Sequence, residues 1–95
     1  MNYWLCFDER ALKEFKGLVE SIREQFKKKL EKVLLNPRVE ANKLRHPFKD
    51  CYKIKLKSSG YRLVYQVDDV AGSVFVVAIG KRDRDAAYIA AEKRL

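Results

Sequence analysis

The sequence predicts an α+β fold: a mostly antiparallel four-stranded sheet packed against an N-terminal helical hairpin and a C-terminal helix, in the order β-α-α-β-β-β-α. Three observations carry this expectation. Apolar residues recur at helical spacing through the first third, the period changes to two after Asp50, and a near-continuous apolar run follows from Ser73 to Ile79. The 95 residues read as one domain, 1–95, without repeats, low-complexity tracts or linkers.

Asn2 to Phe7 is short and aromatic, so it reads as a first strand that ends where Asp8 can cap a helix. Leu12, Phe15 and Val19 then recur at helical spacing, and Gly17 weakens that helix near its end. Ser21 and Glu24 have the spacing of a capping box, opening a second helix with Ile22, Phe26, Leu30, Val33 and Leu34 on one face. Asn36 and Pro37 stop it. The opposite face carries Arg23, Lys27, Lys28 and Lys32, read first as a solvated surface, with phosphate contact as the alternative. Arg38 to Asp50 has no period and contains His46-Pro47-Phe48, so it is a loop, to which Lys43, Arg45 and Lys49 add positive charge.

From Cys51 to Lys57 the chain alternates strictly, Tyr52, Ile54 and Leu56 facing one way and Lys53, Lys55 and Lys57 the other. A second alternating run follows Ser58-Ser59-Gly60, with Tyr61, Leu63, Tyr65 and Val67 on one face and Arg62, Val64 and Gln66 on the other. Pairing Leu56 with Tyr61 makes the apolar faces coincide and sets Lys55 opposite Arg62 and Lys53 opposite Val64; a slip of one residue would exchange the faces. Ser73 to Ile79 reads as a central strand covered on both sides, ended by Gly80 with Lys81 and Arg82 just beyond. Asp83 is the expected cap of a last helix reaching Arg94, with Tyr88 in its second turn.

A composition 47% hydrophobic and 36% charged is globular, and a net charge of +8 on so small a surface favours polyanionic partners. No run approaches the roughly 18 apolar residues of a spanning helix, so a membrane is not an expected partner. Met1 to Phe7 is followed at once by Asp8, Glu9 and Arg10, without the pattern of a signal peptide, and a cytoplasmic location is expected. Cys6 and Cys51 lack metal-site spacing and are expected to be reduced core or sheet residues.

Lys53, Lys55, Lys57 and Arg62 share one face of the hairpin, and like charges facing one another destabilise a sheet. The face reads either as a solvated edge protected by lysines or as a nucleic-acid site, with Tyr61, Tyr65 and Tyr88 as candidates to stack bases and Lys81-Arg82 close by. Metal-free RNA cleavage needs a base for the 2′-OH, cations for the charged transition state and an acid for the leaving 5′ oxygen. His46 is the sole histidine, so a histidine pair is excluded. A lysine among other cations is a substitute base, because neighbouring positive charge favours its neutral form. Asp68, Asp69, Asp83 and Asp85 are the acids a metal could use, but turns and caps account for them, and no metal or other cofactor is expected.

The stretches Phe7-Asp8-Glu9-Arg10-Ala11-Leu12-Lys13-Glu14, Glu40-Ala41-Asn42-Lys43-Leu44-Arg45, Cys51-Tyr52-Lys53-Ile54-Lys55-Leu56, Ser58 to Val67 and Gly80-Lys81-Arg82 resemble the RelE toxins of bacterial type II toxin–antitoxin pairs, within the RelE/ParE superfamily. The resemblance runs nearly end to end. It implies an mRNA interferase that enters the A site of the 70S ribosome, cuts the bound codon and leaves a 2′,3′-cyclic phosphate. It also implies a cognate RelB-like antitoxin and contact with operator DNA only through the antitoxin complex. Carried over residue by residue, Lys55 is the general base, Arg82 the general acid, Lys53 and Arg62 the transition-state cations, and Tyr88 the residue that stacks on the base. Lys43, Arg45, Lys57, Tyr61 and Lys81 are further candidate RNA contacts. The competing reading is a non-catalytic RNA- or ribosome-binding module kept as a co-repressor. A Glu and His pair, used elsewhere in the superfamily, lacks an acid at this face. The His46 to Lys49 loop and the Asp69 to Ser73 turn depart from the family pattern.

Overall fold

The computed structural model describes residues 2–95; Met1, where the apolar N-terminal segment begins, lies outside them. The elements are β1 (Trp4–Phe7), α1 (Glu9–Lys16), α2 (Glu20–Leu35), β2 (Cys51–Lys55), β3 (Tyr61–Asp68), β4 (Ser73–Lys81) and α3 (Ala86–Arg94), with short 3₁₀ turns at Glu40–Asn42 and Asp83–Asp85. The four strands are ordered β1-β4-β3-β2. Two pairings are antiparallel and β1 runs parallel to β4, so the expected architecture holds, with a mixed sheet.

β3 and β4 are central because their residues are apolar on both faces. On one side Leu63, Tyr65, Val67, Val74, Val76 and Ile79 pack against Ala11 and Phe15 of α1 and Ile22, Phe26, Leu30 and Val33 of α2. On the other, Val64, Val77, Ala78 and Cys51 meet Ala87 and Ala91 of α3. Alternation explains both layers. A bulge interrupts it: Val64 pairs with Ala78 and Tyr65 with Val76, leaving Val77 unmatched.

The hairpin register is the one the alternating pattern requires. Lys55 pairs with Arg62, Ile54 with Leu63, Lys53 with Val64 and Tyr52 with Tyr65, and Leu56 N–H donates to Tyr61 C=O at 2.9 Å. Asp8 is the cap of α1, accepting from the Arg10 and Ala11 N–H groups. The Arg10 guanidinium beside it, with those two N–H groups, holds its carboxyl down to about 2, against an ordinary 3.8. Asp8→Ala is expected to cost about 1 kcal/mol at neutral pH. Since the folded value is the lower one, that stabilisation is present above about pH 4 and fades as pH falls toward about 2. Urea unfolding curves of the two proteins, separate at pH 7, should converge in acid.

Several local expectations are corrected. Helix α2 begins at Glu20 with Val19 as its cap residue and no side-chain cap bond, so Ser21 and Glu24 form no capping box. Val19 is 66% exposed and Leu18 is buried in its place, because the chain turns the α1–α2 corner there. That corner is fastened by Arg23, whose guanidinium donates to the Leu18 carbonyl, so Arg23 is not a freely solvated residue. Strand β4 does not stop at Ile79 but continues through Gly80 to Lys81, since β3 supplies partners as far as Tyr61. Asp83 caps nothing: it opens a 3₁₀ turn, α3 starts at Ala86, and Tyr88 lies in its first turn.

Candidate active site

Lys55, Arg62 and Gly80 form one row across β2, β3 and β4, with Lys53 one pleat away on the same face as Lys55. Gly80 is bare for a reason. A Cβ there would stand 3.1 Å from the Ala87 nitrogen and 3.3 Å from the Ala86 Cβ, so the glycine lets the first turn of α3 descend onto the row. Arg84 (φ 56°) and Asp85 (φ 51°) are both left-handed, and this reversal brings α3 back over the sheet directly after β4. Tyr88 is thereby half-buried against the Val64 cluster, with Arg62 and Asp85 as its charged neighbours. Gly80→Ala is expected to lift this end of α3, at a cost of about 1–3 kcal/mol in urea unfolding, with faster hydrogen exchange of α3 amides.

Arg82 reaches the same end of the sheet from another direction. Its N–H donates to Gly60 C=O at 2.8 Å, and its side chain passes 3.6 Å from where a Cβ on Gly60 would stand. Gly60 itself is left-handed, at φ 79°, as the β2–β3 turn requires. The five residues proposed from sequence as catalytic therefore come from β2, β3, the end of β4 and α3.

Burial lowers the Lys53 ammonium below its ordinary pKa, assisted by the charge of Lys55, by contact with Lys55 and by Arg62. Burial raises the Tyr88 phenol, against the opposing pull of Arg62 and with help from Asp85, so it remains a neutral hydroxyl at neutral pH. Among the described residues, no carboxylate forms an ion pair with Lys53, Lys55, Arg62 or Arg82. Such a surface attracts an anion and has spare donors to bind it.

The remaining candidates are scattered. Lys57 lies in the hairpin turn, and Lys43 forms a single bridge with Tyr52 beside β2. Arg45 is exposed in the preceding loop, as is His46. Tyr61 packs on the helical-hairpin side, and the Lys81 ammonium sits 5.6 Å from its ring centroid. Tyr65 is corrected outright: it is 1% exposed, lies against Tyr52 and donates to Pro37 C=O at 2.8 Å, so it belongs to the core and stacks on no base. Of the three tyrosines only Tyr88 shares the face of the cations.

Among the described residues no group of three or more His, Cys, Asp or Glu side chains is arranged to hold a metal ion. Asp68 accepts from the Val70 and Ala71 N–H groups of its turn. Asp69 binds Arg38 and the Tyr3 hydroxyl. No helix among these residues is long and apolar enough to cross a membrane.

Three features escaped the sequence reading: the close approaches at Gly60 and Gly80, the Arg38 cluster with Asp50, Asp69 and Tyr52, and the Arg94–Glu14 pair. Glycine next to Lys81-Arg82 was the only signal available. The paired residues are too far apart in sequence for any local pattern to join them.

Comparison with known proteins places the chain. The family model for the ParE toxin of the type II toxin–antitoxin system parDE matches residues 5–86. The mRNA interferase toxin RelE of Escherichia coli K12 is 61% identical over 95 residues, covering 100% of this chain and 99% of that protein. A putative RelE-like toxin protein of Escherichia coli is 50% identical over the same span. Among solved structures, an arginine-to-alanine double mutant of Escherichia coli RelE in the free state superposes with a TM-score of 0.91 at 59% identity, covering 100% of this chain and 99% of that one. RelE from the intact Escherichia coli RelBE toxin–antitoxin complex gives 0.81 at 64% identity, covering 83% and 95%. A match this complete makes the chain a member of the RelE/ParE family of toxins from type II toxin–antitoxin systems.

Proposed function

We propose that this chain is a ribosome-dependent mRNA endoribonuclease, the toxin of its pair, which cuts the codon in the ribosomal A site without a metal. The observation that carries the reading is the row in which Lys55 faces Arg62, with Lys53 beside it and, among the described residues, no carboxylate ion-paired to any of the three. Likeness end to end to an mRNA interferase supports the same conclusion.

Lys55 acts as the general base and takes the proton of the 2′-OH. The 2′ oxygen bonds to phosphorus, and Lys53 and Arg62 neutralise the charge that gathers on the phosphoryl oxygens. The bond from phosphorus to the 5′ oxygen breaks, leaving a 2′,3′-cyclic phosphate. Arg82 protonates the departing oxygen. A guanidinium is a weak acid, but an alkoxide is a stronger base than a guanidine, so the transfer runs downhill once the bond has lengthened. Tyr88, neutral and half-buried, stacks on a base and turns the 2′-OH in line with the scissile bond.

The partners follow from this chemistry and from the relatives. mRNA and rRNA meet the basic face in the cytoplasm. An acidic RelB-like antitoxin neutralises the toxin, as RelB assembles with RelE in Escherichia coli, and the pair reaches operator DNA through the antitoxin.

The test uses purified 70S ribosomes carrying a defined mRNA with a vacant A site. The expected result is one cut within the A-site codon, an upstream fragment ending in a 2′,3′-cyclic phosphate, a downstream fragment with a 5′-OH, and intact mRNA when ribosomes are omitted. Intact mRNA throughout would leave only a binding module. A 5′-phosphate on the downstream fragment would point to metal-bound hydroxide instead of the 2′-OH.

A further inference from the structure

A groove of about 340 Å³ runs from the proposed site past the C-terminal end of the edge strand β2 to helix α2. Its floor is Val33 and Ile54. Its walls carry Lys29 and Lys32 from α2 and Lys55 and Lys57 from the β2 hairpin. The same helix pairs Lys27 with Glu24, and Glu31 turns to the other flank, beside Leu5 and Phe7, so the acids of α2 are sorted away from this groove. None of the four lysines is ion-paired among the described residues. The other basic cleft, between α1 and α3, differs: two of its cations, Arg10 and Arg94, are neutralised by Asp8 and Glu14.

Lysines three apart on a helix face the same way, and here that pair converges with Lys55 at the end of β2 and Lys57 in the hairpin turn on one channel that has no acid among its lining residues. A regular file of anions satisfies that arrangement, and the channel begins at Lys55. We propose that this groove binds the phosphodiester backbone of single-stranded mRNA downstream of the cut codon. The proposal rests on the reading of the face beside it as an mRNA-cleaving site, and extends that site past the reacting nucleotide.

Two measurements test it, one of them independent of cleavage. In the first, a fluorescein-labelled single-stranded RNA is titrated by anisotropy between 50 and 200 mM salt with wild type, with the double variant Lys29→Gln/Lys32→Gln and with Lys13→Gln/Lys16→Gln, which removes equal charge from α1. Two lost contacts, each about 0.7 in the slope of log affinity against log salt, should make the groove variant about sevenfold less sensitive to that change. The α1 variant should keep the wild-type slope. In the second, programmed ribosomes carry mRNA that either stops after the A-site codon or continues downstream. The continuation should lower the wild-type KM, and the groove variant should lose that gain. Equal slopes for all three proteins, or a groove variant impaired equally on both mRNAs, would overturn the proposal; the latter would assign the lysines to rRNA. Absence of cleavage by wild type would instead strike the functional reading, with the anisotropy result still deciding the groove.

Discussion

Lys55→Ala is expected to lower single-turnover cleavage on programmed ribosomes by about 10²–10⁴-fold, the range for removal of a positioned general base. The side chain is exposed, so its removal leaves no cavity, and the variant should fold and bind ribosomes. Loss of rate with retained binding separates an enzyme from a binding module, because the remaining cations still supply the electrostatic part of affinity. If Lys55→Ala cleaves at the wild-type rate, the base is another group. The neighbouring Lys53 then becomes the first alternative, since its ammonium is the one pushed below the ordinary range.

The same cluster should reveal itself in stability. With a folded pKa below the unfolded one, Lys53 binds more protons in the unfolded chain through the window up to 10.5, so stability rises with pH across that window. At neutral pH the cation costs folding free energy. Lys53→Met should therefore raise Tm, by a gain of about 0.2–1 kcal/mol from a relieved like-charge contact, while slowing cleavage.

Period alone made the sheet legible. Strict alternation across Cys51–Lys57 and Tyr61–Val67 admits one register, and that register already set Lys55 against Arg62. Asp8 was legible as well, because a cap acts within its own turn. What escaped was set by distant contacts. Gly80 reads as a strand end until α3 is placed over it, and Asp83 reads as a cap until Arg84 and Asp85 are seen to take the reversal themselves. Tyr65 and Tyr88 look alike in sequence as base-stacking aromatics. The helical hairpin buries the first and the small residues of α3 leave the second half open, a difference decided by packing two layers on one sheet.

The weak hold of α3 leads to the other large effect. Its buried residues are Ala87 and Ala91, which contribute little apolar area, and among the described residues its side-chain hydrogen bonds are those of Arg94. Those bonds meet a specific need. β1 pairs with β4 only as far as Val76, and the bulge at Val77 turns the next backbone groups toward α1 without a strand to receive them. Ile79 N–H donates to Glu14 at 3.1 Å, and Arg94 donates to Val77 C=O and to both Glu14 carboxylate oxygens, each at 2.9 Å. One ion pair thus completes the sheet edge and ties the far end of the helix that carries Tyr88. Arg94→Ala should cost about 1.5–3 kcal/mol in unfolding, the value of hydrogen bonds to charged groups. It should also lower kcat by up to about 10²-fold with little change in KM, because a base held an ångström out of line no longer presents its 2′-OH for attack. Arg94→Lys keeps the charge but not the fork, and should recover part of the loss. Glu14→Gln keeps an acceptor for Ile79 while weakening the pair, so it should fall between the two. A Tm lowered in Arg94→Ala with kcat unmoved would make the pair a fastening of the sheet edge alone, with Tyr88 held by its own packing against Val64.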